Sequence, residues 1–381
     1  MNRPAAHLPA LDGLRGLAIL LVIAHNAQLL EAPVMHGLDK AVLYVLNIGW
    51  IGVQLFFVLS GFLITGILLD TQGRPRALRN FIVRRALRIF PLYYGALFLI
   101  FVLLPLVNMQ PDLYKAQAPY QFWLWAYLSN WTDPLHIGPK ALGHFWSLAV
   151  EEQFYLLWPL VVMSLGCARR VAAACLLVAL ASLASREVLL LHHASVDVVY
   201  QWTICRIDAL ALGGFAAACW RVDAWREWIR QHGWGIFLAS LLLFLATDVW
   251  THGFPRTAPR DQTIGYTVLA IFFAVVIYLS AWRDAHALPG QAGRQALWHR
   301  FLTQGWLQKI GKYSYGMYVI HKPLHDLFSV RALQALNIRT ENMPVNATLH
   351  VMVVMLASFC AAWLSYHLYE VHFLNLKRHF E

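Results

Sequence analysis

Charge is what this sequence has least of. Only 13% of its 381 residues are Asp, Glu, Lys or Arg, while 59% are hydrophobic and the mean hydropathy is +0.52. A soluble globular domain carries about 25% charged residues, so an ordinary soluble enzyme is excluded and lipid is indicated as the solvent. Cysteine is scarce as well. The five cysteines, Cys167, Cys175, Cys205, Cys219 and Cys360, form no CxxC pair and lie in or beside apolar segments. That pattern argues against a disulfide framework or a zinc site and fits small packing residues. Internal repeats, low-complexity tracts and long linkers are absent, so 1–381 is read as a single transmembrane domain with no appended soluble domain. A cleavable signal is not expected either: the first apolar helix contains Arg15 and His25 and is followed by no small-residue cleavage site.

What is present is a series of long apolar runs. A helix needs about 20 residues to cross a roughly 30 Å hydrocarbon core. The spacing predicts spans near 11–31, 46–70, 89–108, 145–166, 171–190, 203–220, 233–250, 263–282, 313–330 and 347–369. The expected fold is therefore all-α, a polytopic transmembrane helix bundle of about ten spans. The aromatic stretch Tyr120–Trp131 is too short for a span and reads as interfacial or re-entrant. Of the 30 Lys and Arg residues, 19 fall in one alternate set of connecting segments and 8 in the other. Basic residues collect in cytoplasmic loops, which predicts cytoplasmic N- and C-termini and accounts for the net charge of +10 without nucleic acid. Asn130-Trp131-Thr132 and Asn346-Ala347-Thr348 fit the glycosylation pattern, one common by chance.

Ionisable groups inside spans are costly and mark function by default. The first span holds Asp12-Gly13-Leu14-Arg15-Gly16 and then His25. Arg15 and His25 are separated by about 15 Å along a helix; they cannot touch but can address two ends of one long ligand. Arg15 alternatively snorkels, paired with Asp12, and His25 alternatively braces two helices. His144-Phe145-Trp146-Ser147 leads to Glu151-Glu152-Gln153-Phe154-Tyr155, at a predicted depth matching that of His25. A carboxylate there could orient the imidazole, or simply bond helix to helix.

The loop after the second span is dense in arginine: Arg74, Arg76, Arg79, Arg84, Arg85 and Arg88. Topology alone accounts for scattered charge, but Arg85 and Arg88, one turn apart, also suit phosphate. Ser60-Gly61 in the second span favours close helix approach, with a cavity-facing hydroxyl as the alternative. Arg206 and Asp208 either line an acceptor entrance or pair with each other or with other groups. Tyr313, Tyr315, Tyr318 and His321 share the ninth span, and His321 is either a second cavity histidine or a hydrogen-bonded packing residue.

These segments, taken in order with Gly52–Thr65, Arg84–Tyr93, Arg206-Ile207-Asp208 and Tyr313-Ser314-Tyr315-Gly316, resemble the acyltransferase-3 family of bacterial integral-membrane acyltransferases. The likeness runs over nearly the whole chain. It implies O-acylation, commonly O-acetylation, of a cell-surface carbohydrate at a bacterial inner membrane. It also implies acyl-CoA (acetyl-CoA) as co-substrate and no permanently bound cofactor. The family's intramembrane Arg and His fall on Arg15 and His25, and its basic pair on Arg85 and Arg88.

The mechanism these residues permit docks the donor nucleotide on Arg15, Arg85 and Arg88, brings its thioester toward His25, and uses Glu151 or Glu152 to orient the ring. Ser60, Arg206, Tyr313 and His321 are expected around the substrate cavity. The expected partners are acyl-CoA, a carbohydrate or glycolipid acceptor and membrane lipids; no metal is expected. A proton-coupled transporter is the rival reading, because intramembrane His, Glu and Arg also build proton relays.

Overall fold

The computed structural model describes residues 8–27, 44, 46–286, 297–327 and 343–380. Among these the chain is all-helical. Ten helices of 18 residues or more form its frame: α1 (Pro9–Asn26), α2 (Ile51–Thr71), α3 (Ala77–Phe98), α4 (Phe145–Leu165), α5 (Ala168–Leu191), α6 (Thr203–Trp220), α7 (Asp223–Thr251), α8 (Tyr266–Ala285), α9 (Gly305–Leu327) and α10 (Met343–Ser365). Eight of the helical segments are long and apolar enough to cross a membrane. The two frame helices outside that set are α1 and α9. α1 has 18 residues and includes Asp12 and Arg15, while α9 includes Lys309, Lys312, Lys322 and Asp326. These two polar helices pack against each other, and α1 also packs on α2, α8 and α10. The outer helices turn apolar side chains outward instead, as with Leu177 and Leu180 on α5, Leu242 and Val249 on α7, and Leu356 on α10. Apolar residues outside and polar residues inside is the pattern a bilayer requires.

Close helix contacts are made at glycines. A Cβ on Gly61 of α2 would fall 1.8 Å from the Leu210 carbonyl oxygen of α6, and one on Gly213 of α6 would fall 2.1 Å from the Val58 carbonyl oxygen. Only glycine allows backbones to approach this closely.

The stretch Tyr120–Trp131 does not cross the bundle. It folds into short helical turns, including Phe122–Trp125 and Ser129–Trp131. The Tyr93 hydroxyl of α3 donates to the Leu124 carbonyl at 2.7 Å, and the Tyr94 hydroxyl to that of Trp125 at 3.2 Å. Tyr93 lies about 20 Å along the helix axis from its last turn, Leu104–Leu106, so the stretch packs beside the middle of that helix rather than at its end. Asn130 is fully buried. Its side-chain oxygen accepts from Gln153 and its amide donates to the Thr203 hydroxyl, which leaves no room for a glycan; the Asn346 side chain lies outside the described residues.

Two basic residues lie deeper than loop charges would. Arg186, counted with the outer segments from sequence, is sealed inside the bundle on α5. It pairs with Asp208 of α6 at 2.9 Å and donates to the Cys205 carbonyl at 2.6 Å and the Thr267 hydroxyl at 2.6 Å. Arg206 is also fully buried. Both cations are held by protein partners.

Candidate active site

Three adjoining cavities run along α1 and α9. The first, of about 540 Å³, opens at the end of the bundle where α1 begins; its lining includes Asp12, Arg15, Arg88, Lys309, Lys312, Tyr313, Glu370 and Lys377. The second, of about 100 Å³, shares Arg15, Arg88 and Tyr315 with the first and adds Ser60, Arg85, Glu151, Glu152, Tyr155 and Tyr318. The third, of about 210 Å³, lies toward the opposite end and is lined by His25, Asn26, Trp50, Lys140, His144, Tyr200, Arg256 and Lys322, among others. The second and third have Val53 and Tyr318 in common. These two side chains are the partition between the arginine-rich space and the histidine.

In the middle cavity Arg15, Arg85 and Arg88 come together as the sequence pattern suggested, and Ser60, Glu151 and Glu152 join them there. The Arg15 guanidinium bonds the Asp12 carboxylate one turn back, at 2.5 Å, and faces the cavity as well. The Arg85 guanidinium lies 5.3 Å from the centre of the Tyr155 ring. The Tyr155 hydroxyl shares a 2.5 Å hydrogen bond with Ser60. Ser60 thus faces the cavity while its neighbour Gly61 makes the tight contact with α6. One Glu152 carboxylate oxygen is buried without a hydrogen-bond partner.

The expected carboxylate–imidazole pair is not formed. Glu151 and Glu152 line the arginine cavity, whereas His25 lines the outer one with its Nδ1 3.3 Å from the Leu46 carbonyl oxygen. The two groups lie at different depths: His25 packs against Gly49 just before α2, whereas Glu151 bonds Ser60, about 16 Å further along that helix.

Proline explains how a different histidine is held. Pro323 in α9 has no N–H to offer the carbonyl four residues back. That carbonyl, of Val319, lies 3.4 Å from the His144 Nε2. The His144 carbonyl in turn accepts from the Tyr318 hydroxyl at 2.9 Å, and Tyr318 also bonds Ser147 at 2.6 Å. Tyr318 is therefore a fixed part of the partition.

Two expected cavity residues turn out to be supports. Arg206 lines none of the three cavities. It donates to the Gln54 side-chain oxygen at 2.7 Å and sits 4.3 Å from the Tyr266 ring centre and 5.0 Å from that of Tyr200. A buried cation boxed by aromatic rings holds up the Tyr200 and Trp146 walls of the outer cavity. His321 is fully buried, with Nδ1 2.7 Å from the Tyr318 carbonyl and Nε2 3.3 Å from the Asn26 amide; it packs rather than facing substrate. Tyr313 lies in the open basic cavity, its hydroxyl 3.2 Å from His367.

Sequence reading passed over several cavity residues. Lys309, Lys312 and Lys377 were counted only as topology, and Lys140 and Arg256 only as outer-loop charge. Lys322 is a half-buried cation within α9 followed by proline, a signal the rule for buried charge makes readable. Lys140 joins Asp197 at 3.1 Å and Asp133 at 3.7 Å. Partial burial works to lower its ammonium, but the two carboxylates outweigh this and hold it above the ordinary lysine value. Among the described residues, no group of three His, Cys, Asp or Glu side chains stands close enough to hold a metal ion.

The family model for acyltransferase domains (acyltransferase 3) matches residues 8–367. The O-acetyltransferase OatA of Staphylococcus aureus is 30% identical over 346 residues, which cover 84% of this chain and 50% of that protein. The peptidoglycan O-acetyltransferase OatA of Listeria monocytogenes is 36% identical over 163 residues, 40% of this chain and 24% of that one. The chain spans about half the length, or less, of these relatives in the matched regions. No solved structure matches it. With the matched region running from the first residue of the described bundle into the π-helical turn after α10, the chain belongs to the acyltransferase-3 family.

Proposed function

We propose that this chain is a membrane-bound O-acyltransferase that moves an acyl group, acetyl by preference, from acyl-CoA at the basic end to a carbohydrate hydroxyl at the opposite end. On this reading α1 and α9 cross the bilayer with the eight apolar helices, which makes ten spans. The basic end faces the cytoplasm of a bacterial inner membrane, and residues 8–367 work as one transmembrane unit. The observation that carries the reading is the file of three cavities sharing walls, basic at one end and holding His25 at the other.

The donor's phosphates meet Lys309, Lys312, Lys377, Arg15 and Arg88 in the open cavity, through charge-assisted contacts. Its pantetheine arm enters the middle cavity beside Arg85, Glu151 and Glu152. The thioester reaches the junction where Val53 and Tyr318 line both the middle and the outer cavity. On the other side the acceptor hydroxyl meets His25, which takes its proton as general base. The hydroxyl oxygen forms the ester bond to the acyl carbon, the carbon–sulfur bond breaks, and the departing thiolate takes up a proton to leave as free CoA. Glu151 and Glu152 act on the donor side, balancing the guanidinium charge rather than orienting His25. The carbohydrate assignment draws on the peptidoglycan acceptor in the name of the Listeria relative.

The experiment is transfer from labelled acetyl-CoA in membranes carrying the protein, followed by mass spectrometry of cell-surface glycans with and without it. Loss of one acetyl increment on a glycan is the expected result. Movement of sugar across the membrane with no acylated product would make the chain a transporter instead.

A further inference from the structure

The outer cavity contains more positive charge than its own acids can match. Lys140, Arg256 and Lys322 line it together with Asp133 and Asp197. Both carboxylates are engaged elsewhere: Asp197 and Asp133 share Lys140, and Asp133 also accepts from the Gln201 amide at 2.8 Å. Arg256 and Lys322 remain facing the cavity beside His25; Asp197 acts on Arg256 and Asp326 on Lys322 from further off, and among the described residues no carboxylate lies within ion-pair distance of either.

Arg256 is positioned with care for a loop residue. The chain turns through three positive φ angles at His252 (59°), Gly253 (99°) and Phe254 (48°). The buried Phe254 ring stacks on Phe244, and its carbonyl accepts from the Trp50 indole at 2.9 Å. The Tyr266 hydroxyl donates to the Arg256 carbonyl at 2.7 Å, and the guanidinium lies 4.6 Å from the centre of the Tyr200 ring. A solvated surface arginine needs none of these anchors. Tyr200, Trp50 and Trp146 add aromatic walls, surfaces on which the apolar face of a sugar ring can rest.

We infer that the acceptor is an anionic carbohydrate, whose carboxylate or phosphate is held between Arg256 and Lys322 while its hydroxyl faces His25. The inference rests on the acyltransferase reading above and adds the charge of the substrate. Paired cations suit either anion, and the sources are separated by the test.

The test uses the purified protein in lipid nanodiscs and three probes: a neutral hexosamine disaccharide, the same disaccharide bearing a carboxylate ether, and the same bearing a phosphate monoester. Binding is measured at equilibrium, and ester formation from labelled acetyl-CoA is measured in parallel. At least one anionic probe binds roughly tenfold or more tighter than the neutral one, as a charged hydrogen bond requires. Arg256→Gln and Lys322→Gln each reduce that ratio, and the double variant brings it near one. A preference for the carboxylate or for the phosphate probe identifies the source. Equal binding of all three, or a preference that survives the double substitution, overturns the inference. Ester formed equally on all three would remove the anion site and leave the acyltransferase standing. Anion-selective binding without any ester would do the reverse. Lys322→Gln, at a half-buried position, keeps the test open if the loop variant fails to fold.

Discussion

His25 and Arg15 share one helix yet face different cavities, and each carries its own prediction. Replacing His25 by Ala removes the proposed general base. Transfer should fall by at least about 100-fold, in line with what positioned proton transfer contributes, while the protein extracts and melts as the parent does. Normal turnover by that variant would dismiss His25 as the base. Arg85→Ala should act on the donor: KM for acetyl-CoA should rise by roughly tenfold or more, since a charged hydrogen bond contributes about 1.5–3 kcal/mol. An unchanged KM would reduce Arg85 to a topology signal. Arg15, Arg85 and Arg88 were legible in sequence because guanidinium groups at one depth and one end converge whatever their angle. The Glu151–His25 pairing was not, because span boundaries did not fix how far along the bundle axis α4 sits relative to α1. Arg206 misled for another reason. A buried arginine reads as functional until its aromatic box is seen, and that box comes from four separate segments.

At the scale of the helix, hydropathy located most elements within a few residues, and α6 to the residue. It placed the start of α3 late, at 89 rather than 77, because the first turns of that helix carry the arginines. What hydropathy could not supply was which helices meet. The α2–α6 contact depends on Gly61 and Gly213, and Gly61→Leu should lose folded protein at a cost of about 1–3 kcal/mol or more, the usual range for overpacking. Thermal unfolding in detergent checks this; a parent-like Tm would mean that the two helices are not tightly apposed. Val53, on the same helix, tests the partition. It lines both the middle and the outer cavity, so Val53→Trp should fill the junction between them, lower kcat strongly and leave donor binding intact. Equal loss of donor binding would show that the space was never a partition.

The molecule as a whole is a bundle whose polar residues are sorted along its axis. Lysines and arginines gather where the donor's phosphates would enter, carboxylates and tyrosines stand midway, and His25 and His144 with three further cations lie beyond Tyr318. On the proposed function, that sorting would let a hydrophilic donor and a hydrophilic acceptor react without either crossing the membrane. The measurement that bears on this most directly uses sealed inside-out vesicles, with labelled acetyl-CoA outside and a soluble oligosaccharide trapped in the lumen. Labelled ester should appear on the lumenal sugar, and should be missing when His25 is Ala. Label found only on sugar added to the same side as acetyl-CoA would contradict transfer through the bundle.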